Sequence, residues 1–254
     1  MKGLRGRRIV ITGGAGDIGS AIGVAAAAEG SLVSLLDIKD AAEAAPVLTR
    51  IAEGATAGQA DYSVVDISDP NAVADWFAEA EPPDVVIANA GIVDSAPFLD
   101  ISVEQWDNHM STNLTGTFHV LQSAARSMVE AGKSGHVILM GSWVGSVPWP
   151  EIAAYSASKA GLEMLARSAA RELAPHHVRV NVVAPGIVNA GLARRQLQTE
   201  PQYAARVATV VPLGSLQEVE QVADVTLFLC SDYASYMTGS VLLADGGCSL
   251  FQFD

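Results

Sequence analysis

Cysteine is scarce in this chain of 254 residues, which holds only Cys230 and Cys248. Their separation fits no metal-ligand spacing and no disulfide framework, so no metal is expected and each reads as a small buried apolar residue. Basic residues are few: 15 Lys and Arg stand against 28 Asp and Glu, a formal net charge of −13. That balance argues against nucleic acid or an anionic membrane surface as a partner, because both select basic patches. Half the residues are apolar, yet no uninterrupted run approaches the roughly 20 that span a bilayer. The basic start, Met1 to Arg8, leads into a short apolar stretch and then glycines, which does not match a secretory signal, so a cytoplasmic location is expected. Also missing are an internal repeat and a polar or Pro/Gly/Ser-rich linker, which favours one domain over 1–254.

What is present alternates in type along the chain. Arg8 to Thr12 is a β-branched run, followed by the turn Gly13-Gly14-Ala15-Gly16-Asp17-Ile18-Gly19 and a small-residue helix from about Ser20 to Glu29. Glycines at 14, 16 and 19 between a strand and a helix leave backbone N–H groups open to a pyrophosphate at the helix N-terminus. The next strand, Leu32 to Asp37, ends in a carboxylate about 20 residues on, where an acid accepts hydrogen bonds from the adenosine ribose. Asp37 would repel a 2′-phosphate and Lys39 is the one nearby cation, so NAD is preferred over NADP.

Further apolar runs at Asp61–Asp66, Asp84–Ala88, His136–Met140, Val178–Ala184 and Val241–Ala244 read as strands. Asp66 and Ile67 end one of them and are expected to line an adenine slot. Asn89-Ala90-Gly91 ends another and lets a cofactor approach the backbone. Between these runs, Asp69-Pro70 signals a helix start, Ser102-x-x-Gln105 a helix to about Ala131 containing Asn113, and Ser215-x-x-Glu218 a helix to about Cys230. The pattern weakens from 187 to 211, leaving either a mobile lid or an ordinary helical excursion. Strands alternating with helices call for a Rossmann-like, doubly wound parallel sheet of α/β class, with its ligand crevice at the carboxyl ends of the strands.

Tyr155-Ser156-Ala157-Ser158-Lys159 supplies the chemistry. On a helix Tyr155 and Lys159 share a face, and a nearby ammonium stabilises a phenolate, bringing a phenol of pKa about 10 toward use as an acid–base. Ser142, at a strand end, is placed to bond the same substrate oxygen. Trp143, Val144, Val147, Pro148, Trp149, Ile187, Val188 and the segment on to Val211 lie past strand ends and are expected to build the pocket, with Trp143 and Trp149 suggesting an apolar or cyclic substrate. The tail Ser249–Asp254, with Phe251 and Phe253, is expected to pack on a neighbouring subunit.

Taken together, Thr12-Gly13 through Gly19, Asn89-Ala90-Gly91, Asn113, Ser142, Tyr155-x-x-x-Lys159 and Pro185-Gly186 resemble the short-chain dehydrogenase/reductase family over essentially the whole chain. The resemblance implies a catalytic tetrad of Asn113, Ser142, Tyr155 and Lys159. Within it Asn113 holds a relay water, and Lys159 also binds the nicotinamide ribose. It further implies that Pro185, Gly186 and Val188 flank the nicotinamide, and that the chain forms a homotetramer or homodimer. Its expected activity is NAD-dependent interconversion of a secondary alcohol and a ketone. The alternatives are an NADPH-dependent carbonyl or 3-oxoacyl reductase, or a catalytically silent dinucleotide-binding regulator. Two positions depart from the family pattern TGxxxGxG and its neighbourhood. Asp17 stands where glycine is usual and is expected to point away and cap the helix. No threonine follows Pro185-Gly186, with Asn189 the nearest polar substitute.

Overall fold

The computed structural model describes residues 1–54 and 60–250; Phe251 and Phe253 of the tail lie outside them. Seven parallel strands form one sheet: β1 (Arg8–Thr12), β2 (Leu32–Asp37), β3 (Ala60–Val64), β4 (Val85–Ala88), β5 (Gly135–Met140), β6 (Val178–Pro185) and β7 (Val241–Ala244). Their order is β3-β2-β1-β4-β5-β6-β7, so the direction of winding reverses between β1 and β4. The two loops that leave those strands diverge and open a crevice at their carboxyl ends. All four residues of β4 and five of the six of β5 are buried, as befits strands covered on both faces.

Helices α1 (Asp17–Ala28), α2 (Ala41–Gly54) and α9 (Val219–Cys230) cover one face. There Ile22, Ile51, Val222 and Leu227 pack on Ile11, Leu35 and Ile87. The opposite face carries α3 (Pro70–Glu79), α5 (Thr117–Glu130) and α6 (Ala153–Leu173), with Phe77, Leu121 and Leu162 against Val10, Val86 and Leu139. Alanine and glycine dominate α1, and this lets it lie close to the sheet: a Cβ on Gly23 would meet Leu35 at 3.2 Å. At α3 the expected start is found, with the Asp69 carboxylate accepting the N–H groups of Asn71 and Ala72 and Pro70 in the first turn.

Four boundaries differ from those read in the sequence. Helix α1 begins at Asp17, three residues earlier than expected, and β3 ends at Val64 rather than Asp66. The helix expected from Ser102 to Ala131 is divided: α4 (Val103–His109) runs through a π-helical segment, Met110–Gly116, into α5. Ser102 caps α4 by accepting the Gln105 N–H at 3.0 Å. Helix α9 is capped by Glu218 with Gln221, not by Ser215. The reason is a bridge between Val188 and Gln217 that keeps the chain extended as far as Gln217. The 187–211 segment folds into α7 (Gly191–Thr199) and α8 (Pro201–Val210). No helix among the described residues is long and apolar enough to cross a membrane.

Candidate active site

A single cleft of about 590 Å³ runs along the carboxyl ends of the strands, from Asp37 at one end to Trp149 and Tyr203 at the other. The turn after β1 forms its floor. Gly13 takes a left-handed backbone at φ +65°, and a Cβ on Gly19 would sit 2.1 Å from the Gly13 carbonyl oxygen, so both positions need glycine. Gly16 precedes α1 as its N-cap and supplies no side-chain cap, and Gly16, Asp17, Ile18 and Gly19 line the cleft. An uncapped helix N-terminus beside open backbone is suited to a diphosphate. Gly14 faces the other way: its missing side chain leaves room for Leu35 of β2, 2.7 Å from where a Cβ would be. It therefore serves packing rather than lining the cleft.

Asp37 holds its carboxylate at the mouth through the N–H of Ala15 at 3.0 Å and that of Lys39 at 3.3 Å. Lys39 lines the same end and donates from Nζ to the Ala15 carbonyl at 3.0 Å. Asp66 and Ile67 line the neighbouring wall; Asp66 accepts from the N–H and the hydroxyl of Ser68. Across the cleft, Asn89, Ala90 and Gly91 follow β4, and the Asn89 amide is pinned to the carbonyls of Thr12 and Gly13. Pro185, the last residue of β6, and Gly186, Ile187 and Val188 after it complete this wall. Gly186 is held by its N–H to Gln217 Oε1 at 3.0 Å. Asn189 turns out toward Glu218 at 3.3 Å, away from the cleft.

Ser142, Tyr155 and Lys159 meet in the middle of this cleft. The first turns of α6 carry Tyr155 and Lys159 on one side, and the Lys159 Nζ lies 5.4 Å from the phenol ring centroid. That ammonium donates to the Met140 carbonyl at the end of β5, at 2.7 Å. Electrostatically the pair departs from expectation. Burial pushes the Tyr155 phenol above its ordinary value of 10.0, and a hydrogen bond with Ser142 pulls it only partly back. The same burial lowers Lys159 from 10.5 to about 8. A dry site that strengthens the attraction between the two groups also penalises each charge, and here desolvation dominates.

Asn113 belongs to this group in space but not to the cleft surface. Its buried amide accepts the Ile92 N–H at 2.8 Å and donates to the Ile92 carbonyl at 2.9 Å and the Ser158 hydroxyl at 3.2 Å. Its own carbonyl accepts from the Thr117 hydroxyl at 2.7 Å. The side chain thus ties the loop after β4 to α6.

Of the expected pocket residues, Trp143, Val144, Trp149 and Ile187 line the substrate end, whereas Val147 and Pro148 do not. Trp143 and Trp149 meet edge to face at 5.3 Å. Gln196 and Tyr203, from α7 and α8, line the same end; they lie in the segment to Val211 expected to border the pocket, although nothing in that weakly patterned stretch singled out either residue. Ile152 of the cleft lining and His109 beside it escaped the sequence reading. Buried His109 packs its ring 6.5 Å from that of Tyr155. Its Nε2 accepts the Asp94 N–H and its Nδ1 donates to the Gln105 carbonyl, which assigns the neutral Nδ1–H tautomer. The expected cap by Asp17 is not made. Instead its carboxylate accepts the Gly191 N–H and pairs with Arg194 on α7. The turn at 13–19 brings α1's first residue opposite the start of α7, which draws the side chain across to α7.

A doubly wound parallel sheet with an anion cradle at its switch point is the architecture of dinucleotide-binding α/β proteins. The comparisons with known proteins agree. Residues 13–249 match the family model described as Enoyl-(Acyl carrier protein) reductase. The chain is 34% identical to a (3R)-3-hydroxyacyl-CoA dehydrogenase of Mus musculus, covering 96% of each chain. It is 34% identical to 3beta-hydroxysteroid dehydrogenase 1 of Eggerthella lenta, over 98% of this chain and 97% of the relative. Among solved structures, an NAD+-bound xylitol dehydrogenase superposes with a TM-score of 0.89 at 29% identity, over 97% and 100% of the two chains. A chain from Agrobacterium tumefaciens with bound NADP gives 0.88 at 29%, over 96% and 97%. The chain belongs to the short-chain dehydrogenase/reductase family, an oxidoreductase class.

Proposed function

We propose that this protein interconverts a secondary alcohol and a ketone, exchanging hydride with NAD and using Tyr155 as the acid–base. The observation that carries the reading is the continuity of the cleft: the glycine turn and Asp37 line the same cavity as Ser142, Tyr155 and Lys159. When bound, the dinucleotide supplies the hydride chemistry. Gly13, Gly16, Ile18 and Gly19 would hold its diphosphate and Asp37 its adenosine ribose, with Gly14 shaping the turn from behind. Asp66 and Ile67 would flank the adenine. Asn89, Ala90, Gly91, Pro185, Gly186 and Val188 would border the nicotinamide.

Within that frame Ser142 orients the substrate oxygen, Tyr155 exchanges a proton with it, and Lys159 supplies positive charge beside the phenol. Asn113 contributes by fixing the loop at Ile92 against α6. The apolar end built from Trp143, Trp149, Ile152 and Ile187 favours an apolar or cyclic substrate, with α7 and α8 as its lid within a single domain of residues 1–254. Phe98, Leu99 and Val103 are 77%, 94% and 77% exposed, which favours assembly of a homotetramer or homodimer.

Turnover of secondary alcohols, read by NADH absorbance, tests the mechanism. Tyr155→Phe is expected to lose about a hundredfold or more in kcat, the scale of a missing general acid–base. Activity near wild type removes Tyr155 from the reaction. Lys39 beside Asp37 supports a second reading, an NADPH-dependent carbonyl or 3-oxoacyl reductase. Direct titration separates the two: NAD use predicts NADH binding at least about tenfold tighter than NADPH, since Asp37 faces the added phosphate. Dinucleotide binding without turnover of any alcohol or ketone would leave only a silent regulator.

A further inference from the structure

A carboxylate in the floor of an anion cradle needs an explanation. Asp17 occupies the first turn of α1 and lines the cleft, where the helix N-terminus and open N–H groups would otherwise attract a diphosphate unopposed. Its Oδ2 accepts the N–H of Gly191 at 3.0 Å and lies 3.4 Å from Nη1 of Arg194. Arg194 is itself oriented, because its Nε and Nη2 both donate to the Asn189 carbonyl. Gly191 holds a left-handed backbone at φ +46°, and this lets the chain turn its N–H toward Asp17 as α7 begins. Both charged side chains are roughly half exposed, so the pair adds little to stability by itself. Its effect is on the charge that an incoming anion meets.

We propose that Arg194 is a positioning residue for the cofactor: it neutralises Asp17 from across the cleft, so that the glycine turn can accept a diphosphate. The same pair ties the start of α7, whose Gln196 borders the substrate end, to the diphosphate site. Nucleotide binding and placement of the substrate wall are therefore coupled through a single ion pair. The inference rests on the dinucleotide reading above and deepens it.

The test measures binding of NADH, of ADP-ribose and of adenosine, which lacks the diphosphate, to wild-type protein and to Arg194→Gln, Asp17→Asn and the double variant. Arg194→Gln is expected to weaken NADH and ADP-ribose about tenfold, the scale of one unshielded charge a few ångströms from an anion in a partly solvated site. Asp17→Asn is expected to tighten both severalfold, and the double variant to bind within about twofold of wild type. Adenosine should bind all four proteins alike, which a general loss of structure would not allow. Raising the salt should shrink the Arg194→Gln penalty. The inference is overturned if the double variant binds as weakly as Arg194→Gln, if Arg194→Gln has no effect, or if adenosine weakens in parallel. Wild-type protein that binds no dinucleotide overturns the functional reading as well, so the two failures are distinguishable.

Discussion

Lys159 carries its charge where charge is costly, and this gives the residue a signature in stability. Its folded pKa is about 8 against an ordinary 10.5. Below pH 8 both folded and unfolded chains hold the proton, and the native state bears the whole penalty of a buried cation. Between pH 8 and 10.5 the native state has released a proton that the unfolded chain keeps, so stability rises with pH through that window. Wild type should gain about 2 kcal/mol on Lys159→Met between pH 7.5 and 9.5, measured by urea unfolding of both proteins. Equal pH dependence in the two would show the ammonium to be better solvated than its surroundings indicate. The sequence placed this lysine beside Tyr155 but left the sign of the phenol's shift wrong. Spacing locates charges; it does not report how much water is removed from around them.

At the scale of elements, the strands and most helices were legible because burial on both sheet faces demands unbroken apolar runs, and Asp69-Pro70 writes a helix start into the chain. The π-helical segment at Met110–Gly116 was not. Its cause is tertiary: Asn113 satisfies the backbone of Ile92, 21 residues before it, and the hydroxyl of Ser158, 45 residues after it. The wider π-helical turn, of the kind found at functional sites, brings that amide inward. Asn113→Ala should cost about 2 kcal/mol, because it removes two part-buried hydrogen bonds to the Ile92 backbone and one to the Ser158 hydroxyl. A fall in the thermal midpoint together with weaker NADH binding would report displacement of the Gly91–Ile92 wall, while an unchanged midpoint would refute the account. Two capping boxes also competed around α9, and the choice between them was made by the pairing of Val188 with Gln217, which no local pattern encodes.

Across the whole molecule, the site is a property of topology. Asp37 and Pro185 end β2 and β6, Asn89 and Ser142 lie just past β4 and β5, and all four are far apart in the chain, yet parallel strands bring them to one edge. The alternation of strand and helix made that edge legible. The roof over the substrate end was not, because α7 and α8 pack through Leu197, Tyr203 and Val207 on a separate apolar cluster with Trp143, Val144 and Ile187 rather than on the sheet.

The strand order has a further bearing on biogenesis. Strands β1 to β4 are contiguous both in the chain, ending at Ala88, and in the sheet, while β5 starts at Gly135. A growing chain can therefore assemble its first four strands and then wait with the free side of β4, an apolar edge, until 47 further residues have been made. At ribosomal rates of about 5–20 residues per second that wait lasts roughly 2–9 s; the free side of β6 waits again from Pro185 until Val241 is made, and in these two intervals the growing sheet is open to mispairing with another nascent chain.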